Sequence, residues 1–128
     1  MPARSTPSPE LPLVIVVDDD PAVRSSLQFA LELEGFAVET LDCGEALLTR
    51  DLPERDACLV LDERMPGIGG LAALARLRGR QVALPALLIT SNPKRAVRQA
   101  AAAAGVPIVE KPLVGDALSG WIRAALRG

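Results

Sequence analysis

The fold is indicated by the stretch Leu59-Val60-Leu61-Asp62-Glu63-Arg64-Met65-Pro66-Gly67, in which an apolar run ends abruptly in a carboxylate. The run before Asp62 has the continuous apolar character of a strand that is buried on both faces. The residues after it form a loop rich in proline and glycine, which favours a turn. These features predict a strand over Ala57 to Leu61 with Asp62 at its carboxyl end. In open α/β sheets the ligand crevice lies at that end of the strands.

Other apolar runs also end in polar residues. Leu11 to Val17, Leu84 to Ile89 and Val106 to Val109 are predicted strands. They lead into Asp18-Asp19-Asp20, Thr90 and Glu110-Lys111, respectively. A further run, Phe36 to Leu41, alternates apolar and polar residues and predicts a less buried strand.

Helical patterns follow each of these strands. Asp20 before Pro21 is typical of an N-cap followed by proline at the first helical position, and Gly35 is placed to end that helix. Asn92-Pro93 repeats this start, with Gly105 as the C-terminal glycine. The other predicted helices span residues 42–50, 70–78 and 116–126. Phe29 and Leu33 widen the apolar stripe of the first helix, which predicts contact with a neighbouring helix, and Trp121 on the last helix is predicted to pack.

Five strand–helix units in succession predict an α/β protein with a parallel sheet, helices on both faces and right-handed crossovers. In such a sheet every carboxyl end of a strand lies on the same edge. The fold therefore brings together side chains that are far apart in sequence. They are Asp18, Asp19, Asp62, Thr90 and Lys111.

These residue types indicate a particular chemistry. Clustered carboxylates raise one another's pKa unless a cation lies between them. Carboxylate oxygens together with water suit Mg²⁺. Lys111 adds a positive point charge that can face a phosphoryl group. We therefore interpret Asp62 as an aspartate that accepts phosphate beside a divalent metal.

Composition excludes several other classes of function. The chain has 128 residues and a formal net charge of -2, without a basic stripe, so no direct nucleic-acid binding is expected. No apolar run approaches the roughly 20 residues of a membrane span. Residues 1–10 lack the apolar core of a secretion signal and predict a flexible N-terminal tail, with one domain over residues 11–128. A cytoplasmic location is expected.

Histidine is absent, which removes the commonest general base and transition-metal ligand. Catalysis by a Ser-His-Asp or Cys-His arrangement is therefore excluded. Cys43 and Cys58 are the only cysteines, and neither lies in a metal-binding pattern. We interpret both as small apolar side chains.

These motifs resemble those of response-regulator receiver domains of two-component signalling, from Leu13 to about Leu126. The acidic pair after the first strand of that family is matched by Asp18 and Asp19. The phosphoacceptor motif Asp-x-x-Met-Pro-Gly-x-x-Gly is matched by Asp62, Met65, Pro66, Gly67 and Gly70. Thr90 matches the hydroxyl that follows the fourth strand of the family, and Lys111-Pro112 matches its Lys-Pro dipeptide.

The resemblance implies a (βα)5 flavodoxin-like three-layer sandwich with strand order 2-1-3-4-5. It implies that Asp62 accepts a phosphoryl group from a histidine kinase, a phosphotransfer protein or a small donor such as acetyl phosphate. Mg²⁺ would be bound by the carboxylates of Asp18, Asp19 and Asp62 and by the backbone carbonyl of Arg64. Thr90 and Lys111 would bind phosphoryl oxygens, and the Lys111–Pro112 bond would be cis.

The resemblance also implies a signalling protein rather than an enzyme, one that assists its own phosphorylation and dephosphorylation and acts through protein contacts. We expect a histidine kinase and an unidentified downstream protein as partners, and a monomer or a phosphorylation-dependent homodimer. The chain ends at Gly128, which indicates a single-domain regulator or an excised receiver. Ile108 stands where the family often has an aromatic switch residue, so the usual Thr–aromatic relay is not expected.

Two alternatives remain open from the sequence. A haloacid-dehalogenase-like phosphohydrolase would use an Asp-x-Asp-x-Thr/Val motif, for which Asp18 and Asp20 have the spacing but Ala22 does not fit. A pseudo-receiver would bind proteins constitutively without phosphorylation. Arg64 and Asn92 flank the site and are expected to influence dephosphorylation.

Overall fold

The computed structural model describes residues 11–111, 113 and 117–127. Strands and helices alternate along the chain. The strands are β1 (Leu13–Val17), β2 (Ala37–Leu41), β3 (Ala57–Asp62), β4 (Ala86–Thr90) and β5 (Ile108–Glu110). The helices are α1 (Pro21–Leu33), α2 (Gly44–Thr49), α3 (Gly70–Gly79), α4 (Arg95–Ala104) and α5 (Ala117–Leu126).

The five strands form one parallel sheet in the order β2-β1-β3-β4-β5, as expected. Val17 of β1 is in register with Leu61 of β3, and Asp62 is in register with Ile89 of β4. The ends of the three central strands are therefore level. Residues that follow these ends meet at one edge of the sheet.

Each face of the sheet has its own hydrophobic core. Alternate strand residues such as Ile15 and Leu59 pack towards α2, α3 and α4, whereas Val14 and Val60 pack towards α1 and α5. Every residue of β3 and β4 is buried, because these strands are covered on both faces. This burial on both faces holds each strand in one register relative to its neighbours, and so determines where the strand ends.

The first helix begins and ends as its sequence predicts. The Asp20 carboxylate accepts a hydrogen bond from the backbone N–H of Ala22 at 2.9 Å, and Pro21 occupies the first helical position. Gly35 follows the helix with a φ of 96°, a conformation that glycine adopts without steric cost. Phe36 then donates its N–H back to the Leu31 carbonyl at 3.1 Å.

The start predicted for α4 is wrong. The helix begins at Arg95, after a Lys94 cap whose side chain makes no capping bond. Asn92 has a φ of 47° and Pro93 is buried in the loop, so the Asn-Pro pair shapes this connection instead of starting the helix. The left-handed conformation is one that asparagine tolerates better than most residues. Gly105 ends α4 with a φ of 71°, as expected.

The predicted packing of three large apolar side chains is also wrong. Phe29 is 69% exposed and Leu33 is 72% exposed, since α1 turns its other face, with Leu27 and Leu31, to the sheet. Trp121 is 46% exposed on α5. The apolar stripe of α1 is therefore wider than the face that the sheet can cover.

Other predictions fall outside the described residues. These are the tail over residues 1–10, the cis bond to Pro112 and the helix start at Asp116. Cys43 is half-buried and Cys58 is buried, and both are free thiols, as interpreted from the sequence. Within the described part of the chain, no helix has the length and apolar character needed to cross a bilayer.

Candidate metal site at the carboxyl edge of the sheet

Three aspartates meet at the carboxyl edge of the sheet. Asp18 and Asp19 follow β1, and Asp62 ends β3. One carboxylate oxygen from each lies within 4.8 Å of the others. Asp18 and Asp62 are buried, whereas Asp19 is exposed to solvent. The structure thus brings together the carboxylates that the sequence places at strand ends.

Lys111 lies opposite two of these carboxylates. Its Nζ is 3.0 Å from Oδ2 of Asp18 and 3.5 Å from Oδ1 of Asp62. The backbone N–H of Lys111 donates to the carbonyl of Thr90 at 2.9 Å, which fixes the lysine beside the end of β4. Residues from β1, β3 and the segment after β5 therefore share one electrostatic cluster.

The ionisation of this cluster follows from its burial. Burial and the neighbouring charge of Asp18 raise the pKa of Asp62 from 3.8 to about 6, although Lys111 and the N–H of Arg64 oppose the rise. Burial lowers the pKa of Lys111, but its bonds to Asp18 and Asp62 outweigh that effect, so the pKa of Lys111 is raised. Asp62 is thus ionised near neutral pH, and Lys111 stays charged.

Asp18 is positioned by the turn into α1. Its Oδ1 accepts the N–H of Asp20 at 2.9 Å, and its carbonyl accepts a hydrogen bond from the Arg24 guanidinium at 2.7 Å. This contact of Arg24 was not predicted from the sequence. A basic residue one turn into the helix after an acidic run is the signal that points to it. The Asp20 carboxylate caps α1 through Ala22 and lies outside the three-aspartate cluster.

Thr90 is buried at the end of β4. This strand pairs with β3, which ends at Asp62. It lines a cavity of about 350 Å³ between the site and α4. The other lining residues are Glu63, Arg64, Pro93, Lys94 and Val97. Thr90 therefore lines the same space as Arg64, the second residue after Asp62.

Two glutamates that were not predicted from the sequence accept hydrogen bonds from the segment after Asp62. Glu63 Oε1 accepts the N–H of Leu71 at 2.9 Å, which caps α3 where its Gly69 N-cap has no side chain to do so. Glu45 of α2 accepts the N–H of Ile68 at 3.3 Å. The two contacts join residues 8 and 23 positions apart, which is beyond the three- to four-residue spacing of helix-capping patterns.

Arg64 contacts both sides of the site. Its backbone N–H donates to Oδ1 of Asp62 at 3.3 Å. Its exposed side chain crosses to the β4–α4 loop, where NH2 donates to the carbonyl of Asn92 at 3.3 Å. The sequence placed both residues beside the site, and the structure connects them to each other.

The donor set fits a hard divalent cation. Three carboxylates face a single ammonium group, Lys111, which leaves two negative charges to be balanced when all are ionised. Oxygen ligands with access to water are those that Mg²⁺ prefers. Asp19 is exposed, so bound water can complete the coordination of such an ion.

Comparisons with known proteins identify the family of the chain. Residues 14–123 match the family described as the response regulator receiver domain. The transcriptional regulatory protein FixJ of Bradyrhizobium diazoefficiens is 36% identical over 115 residues, which cover 89% of this chain and 56% of FixJ. The chain thus spans about half the length of this relative.

Solved structures give the same match. The FixJ-N crystal structure superposes with a TM-score of 0.82 at 33% identity, covering 90% of this chain and 93% of that one. The response regulator TrrA of Thermotoga maritima, solved in complex with Mg(2+)-BeF, superposes with a TM-score of 0.76 at 26% identity. That match covers 89% of this chain and 98% of TrrA.

Proposed function

The chain belongs to the response regulator receiver domain family, and we propose that it accepts a phosphoryl group on Asp62 and transmits the change by protein contact. The observation that carries this proposal is the placement of Lys111 between Asp18 and Asp62 beside the three-carboxylate cluster. This arrangement combines a nucleophile, a cation and metal ligands. Phosphoryl transfer needs such charge neutralisation and positioning more than acid–base groups.

In the proposed step a carboxylate oxygen of Asp62 attacks phosphorus. An O–P bond forms, and the P–N bond of a phosphohistidine or the P–O bond of acetyl phosphate breaks, so the electron pair leaves with imidazole or acetate. The N–H of Arg64 and the ammonium of Lys111 both contact Oδ1 of Asp62, so we assign Oδ2 as the attacking atom. A pKa of about 6 leaves the carboxylate ionised at neutral pH.

The remaining residues neutralise and bind the phosphoryl group. Mg²⁺ bound by the carboxylates of Asp18, Asp19 and Asp62 and by the carbonyl of Arg64 would supply positive charge at the phosphoryl oxygens. Lys111, whose Nζ lies 3.5 Å from Oδ1 of Asp62, supplies a second positive charge. Thr90, buried at the end of β4, donates its hydroxyl to a phosphoryl oxygen.

We propose a histidine kinase or phosphotransfer protein as the donor and a further protein as the receiver of the signal. FixJ is named a transcriptional regulatory protein, and this chain spans about half of its length. We propose that residues 11–128 form the receiver and that the protein is cytoplasmic. It would be a monomer, or a homodimer that forms on phosphorylation. No direct contact with nucleic acid is proposed.

The phosphohydrolase alternative is disfavoured by the position of Asp20. That mechanism needs the second aspartate of the motif at the metal site, whereas the Asp20 carboxylate is exposed and caps α1. The pseudo-receiver alternative differs from the proposal in one respect, which is whether Asp62 becomes phosphorylated. A single measurement therefore separates them.

The test is the intact mass of the chain after incubation with Mg²⁺ and acetyl phosphate or phosphoramidate. We expect one added phosphoryl group, lost in Asp62→Asn and in a metal-free sample. Asp51→Asn is the matched control, because Asp51 is exposed beyond α2 and should leave the gain unchanged. No gain with either small donor or with a phosphorylated histidine kinase would favour the pseudo-receiver.

A further inference from the structure

Arg64 links the acceptor aspartate to a second loop of the site. Its backbone N–H donates to Asp62, and its guanidinium donates to the carbonyl of Asn92, 28 residues further along the chain. Among the described residues, no other side chain donates a hydrogen bond to the Asn92 carbonyl. A change at Asp62 can therefore reach the β4–α4 loop through a single residue.

The loop that Arg64 holds leads directly into α4. Asn92 has a φ of 47°, and two residues later the chain reaches the Lys94 cap. Of the ten residues of α4, all of which the structure describes, Ala101 alone is fully buried, and Val97 is half-buried against the core. Few side chains of α4 thus pack on the core, so the loop before the helix also helps to position it.

We propose that Arg64 is the residue that reports the phosphoryl state of Asp62 to α4, through what we call the Arg64 latch, the hydrogen bond from its guanidinium to the Asn92 carbonyl. This inference rests on the proposed function. Without phosphate, the latch holds the β4–α4 loop. With a phosphoryl group on Asp62, the guanidinium turns to the phosphoryl oxygens and releases the carbonyl.

The direction of this exchange follows from charge. An aspartyl phosphate carries about 1.5 to 2 negative charges, two residues from Arg64, in place of the single charge of the ionised Asp62 carboxylate. Both groups of a guanidinium–phosphate pair are charged, and the pair can form two parallel hydrogen bonds, whereas a carbonyl offers the guanidinium a single neutral acceptor. The Asn92 carbonyl is neutral, so it loses the competition for the guanidinium.

The cavity beside Thr90 gives the side chain room to turn. Arg64, Thr90 and Pro93 all line this space of about 350 Å³. Lys111 is not an equivalent reporter, since it is already bound to Asp18 and Asp62 before phosphorylation. The latch also needs no aromatic ring at position 108, where this chain has a half-buried isoleucine.

The test compares Arg64→Met with Arg76→Met by NMR of the ¹⁵N-labelled full chain. Arg76 is an exposed arginine of α3 and serves as the matched control. Amide shifts of residues 91, 92 and 94–97 are recorded with Mg²⁺ alone and with Mg²⁺ plus beryllofluoride, which mimics an aspartyl phosphate. Intact mass after acetyl phosphate reports phosphorylation separately.

In the wild type and in Arg76→Met we expect beryllofluoride to shift these amides. In Arg64→Met we expect the amides to lie near the beryllofluoride positions already with Mg²⁺ alone, and to respond by less than half of the wild-type change. Loop amides of Arg64→Met that match Arg76→Met in both states would overturn the latch. A wild type that gains no phosphoryl mass and shows no beryllofluoride response would instead overturn the proposed function.

Discussion

Asp62 is held in an environment that disfavours its charge. It is 3% exposed and close to the charge of Asp18, and its pKa is raised to about 6. The folded chain therefore binds a proton more tightly than the unfolded chain does, and ionisation of Asp62 costs stability. We predict that Asp62→Asn raises the free energy of unfolding in metal-free buffer at about pH 7.5 by about 1–3 kcal/mol.

The pH dependence of this difference follows from the same shift. Below pH 3.8 the carboxyl is neutral in both the folded and the unfolded chain, so Asp62 carries no ionisation cost. The cost grows as the pH rises from 3.8 to about 6 and is constant above that range. Urea unfolding across this range should show the gap between wild type and Asp62→Asn widening, with no such change for the exposed Asp51→Asn. A gap that is independent of pH would contradict the prediction.

At the scale of elements, the start of α3 packs directly on the backbone of Asp62. A Cβ at Gly70 would lie 2.7 Å from the Asp62 carbonyl and 3.0 Å from side-chain atoms of Leu61 and Leu88. We predict that Gly70→Ala displaces the end of β3, lowers the free energy of unfolding by about 1–3 kcal/mol and slows phosphoryl gain.

Gly79, at the other end of the same helix, is the matched control. A Cβ there meets nothing within 4 Å, so Gly79→Ala should be neutral or stabilise the fold by up to about 1 kcal/mol. Urea unfolding and intact mass after acetyl phosphate give the two readouts. Equal effects of the two substitutions would show that helix propensity, not the close approach to Asp62, decides the outcome at Gly70.

Glu63 links the acceptor loop to the same helix. Its carboxylate accepts the N–H of Leu71, so we predict that Glu63→Ala lowers the free energy of unfolding by about 1 kcal/mol. Glu54→Ala, at an exposed position before β3, should change stability much less. Chemical denaturation of the two variants checks this prediction, and a Glu63→Ala variant as stable as the wild type would contradict it.

An element can be predicted from the sequence when the interactions that form it are between residues close together in the chain. The strands and the cap of α1 at Asp20 were predictable, because burial on two faces and N-capping act within a few residues. The start of α4 was not, since the path of the loop is set by contacts such as Arg64 to Asn92 across 28 residues. The exposure of Phe29 likewise depends on how much of α1 the sheet covers. Helix periodicity alone does not give that width.

At the scale of the whole molecule, the site exists because the sheet is parallel. Asp18, Asp62 and Lys111 meet only when β1, β3 and β5 all present their carboxyl ends at one edge. The alternation of strands and helices predicts a parallel sheet, so it was possible to predict which residues form the cluster. Its distances were not, because they depend on strand register across the sheet and on contacts such as that of Lys111 with Asp18, 93 residues apart.

Because folding brings the three carboxylates together, we predict that a divalent cation stabilises the folded chain as a whole. The three carboxylates come together only in the folded state, so a bound ion lowers the free energy of that state alone. At a Mg²⁺ concentration ten times the dissociation constant, we expect about 1.4 kcal/mol of stabilisation. For a domain of this size that corresponds to a rise in Tm of about 5 °C.

The measurement is the Tm by circular dichroism with Mg²⁺ and after addition of a chelator. Asp19→Asn removes an exposed ligand without leaving a buried charge unpaired, and it should abolish most of the shift. Asp51→Asn keeps the cluster intact and should retain the shift. The shift should also fade as the pH drops below about 6, because protonation of Asp62 removes one of the ligands. A Mg²⁺-dependent rise that is equal in Asp19→Asn and Asp51→Asn would show that the ion acts elsewhere on the surface.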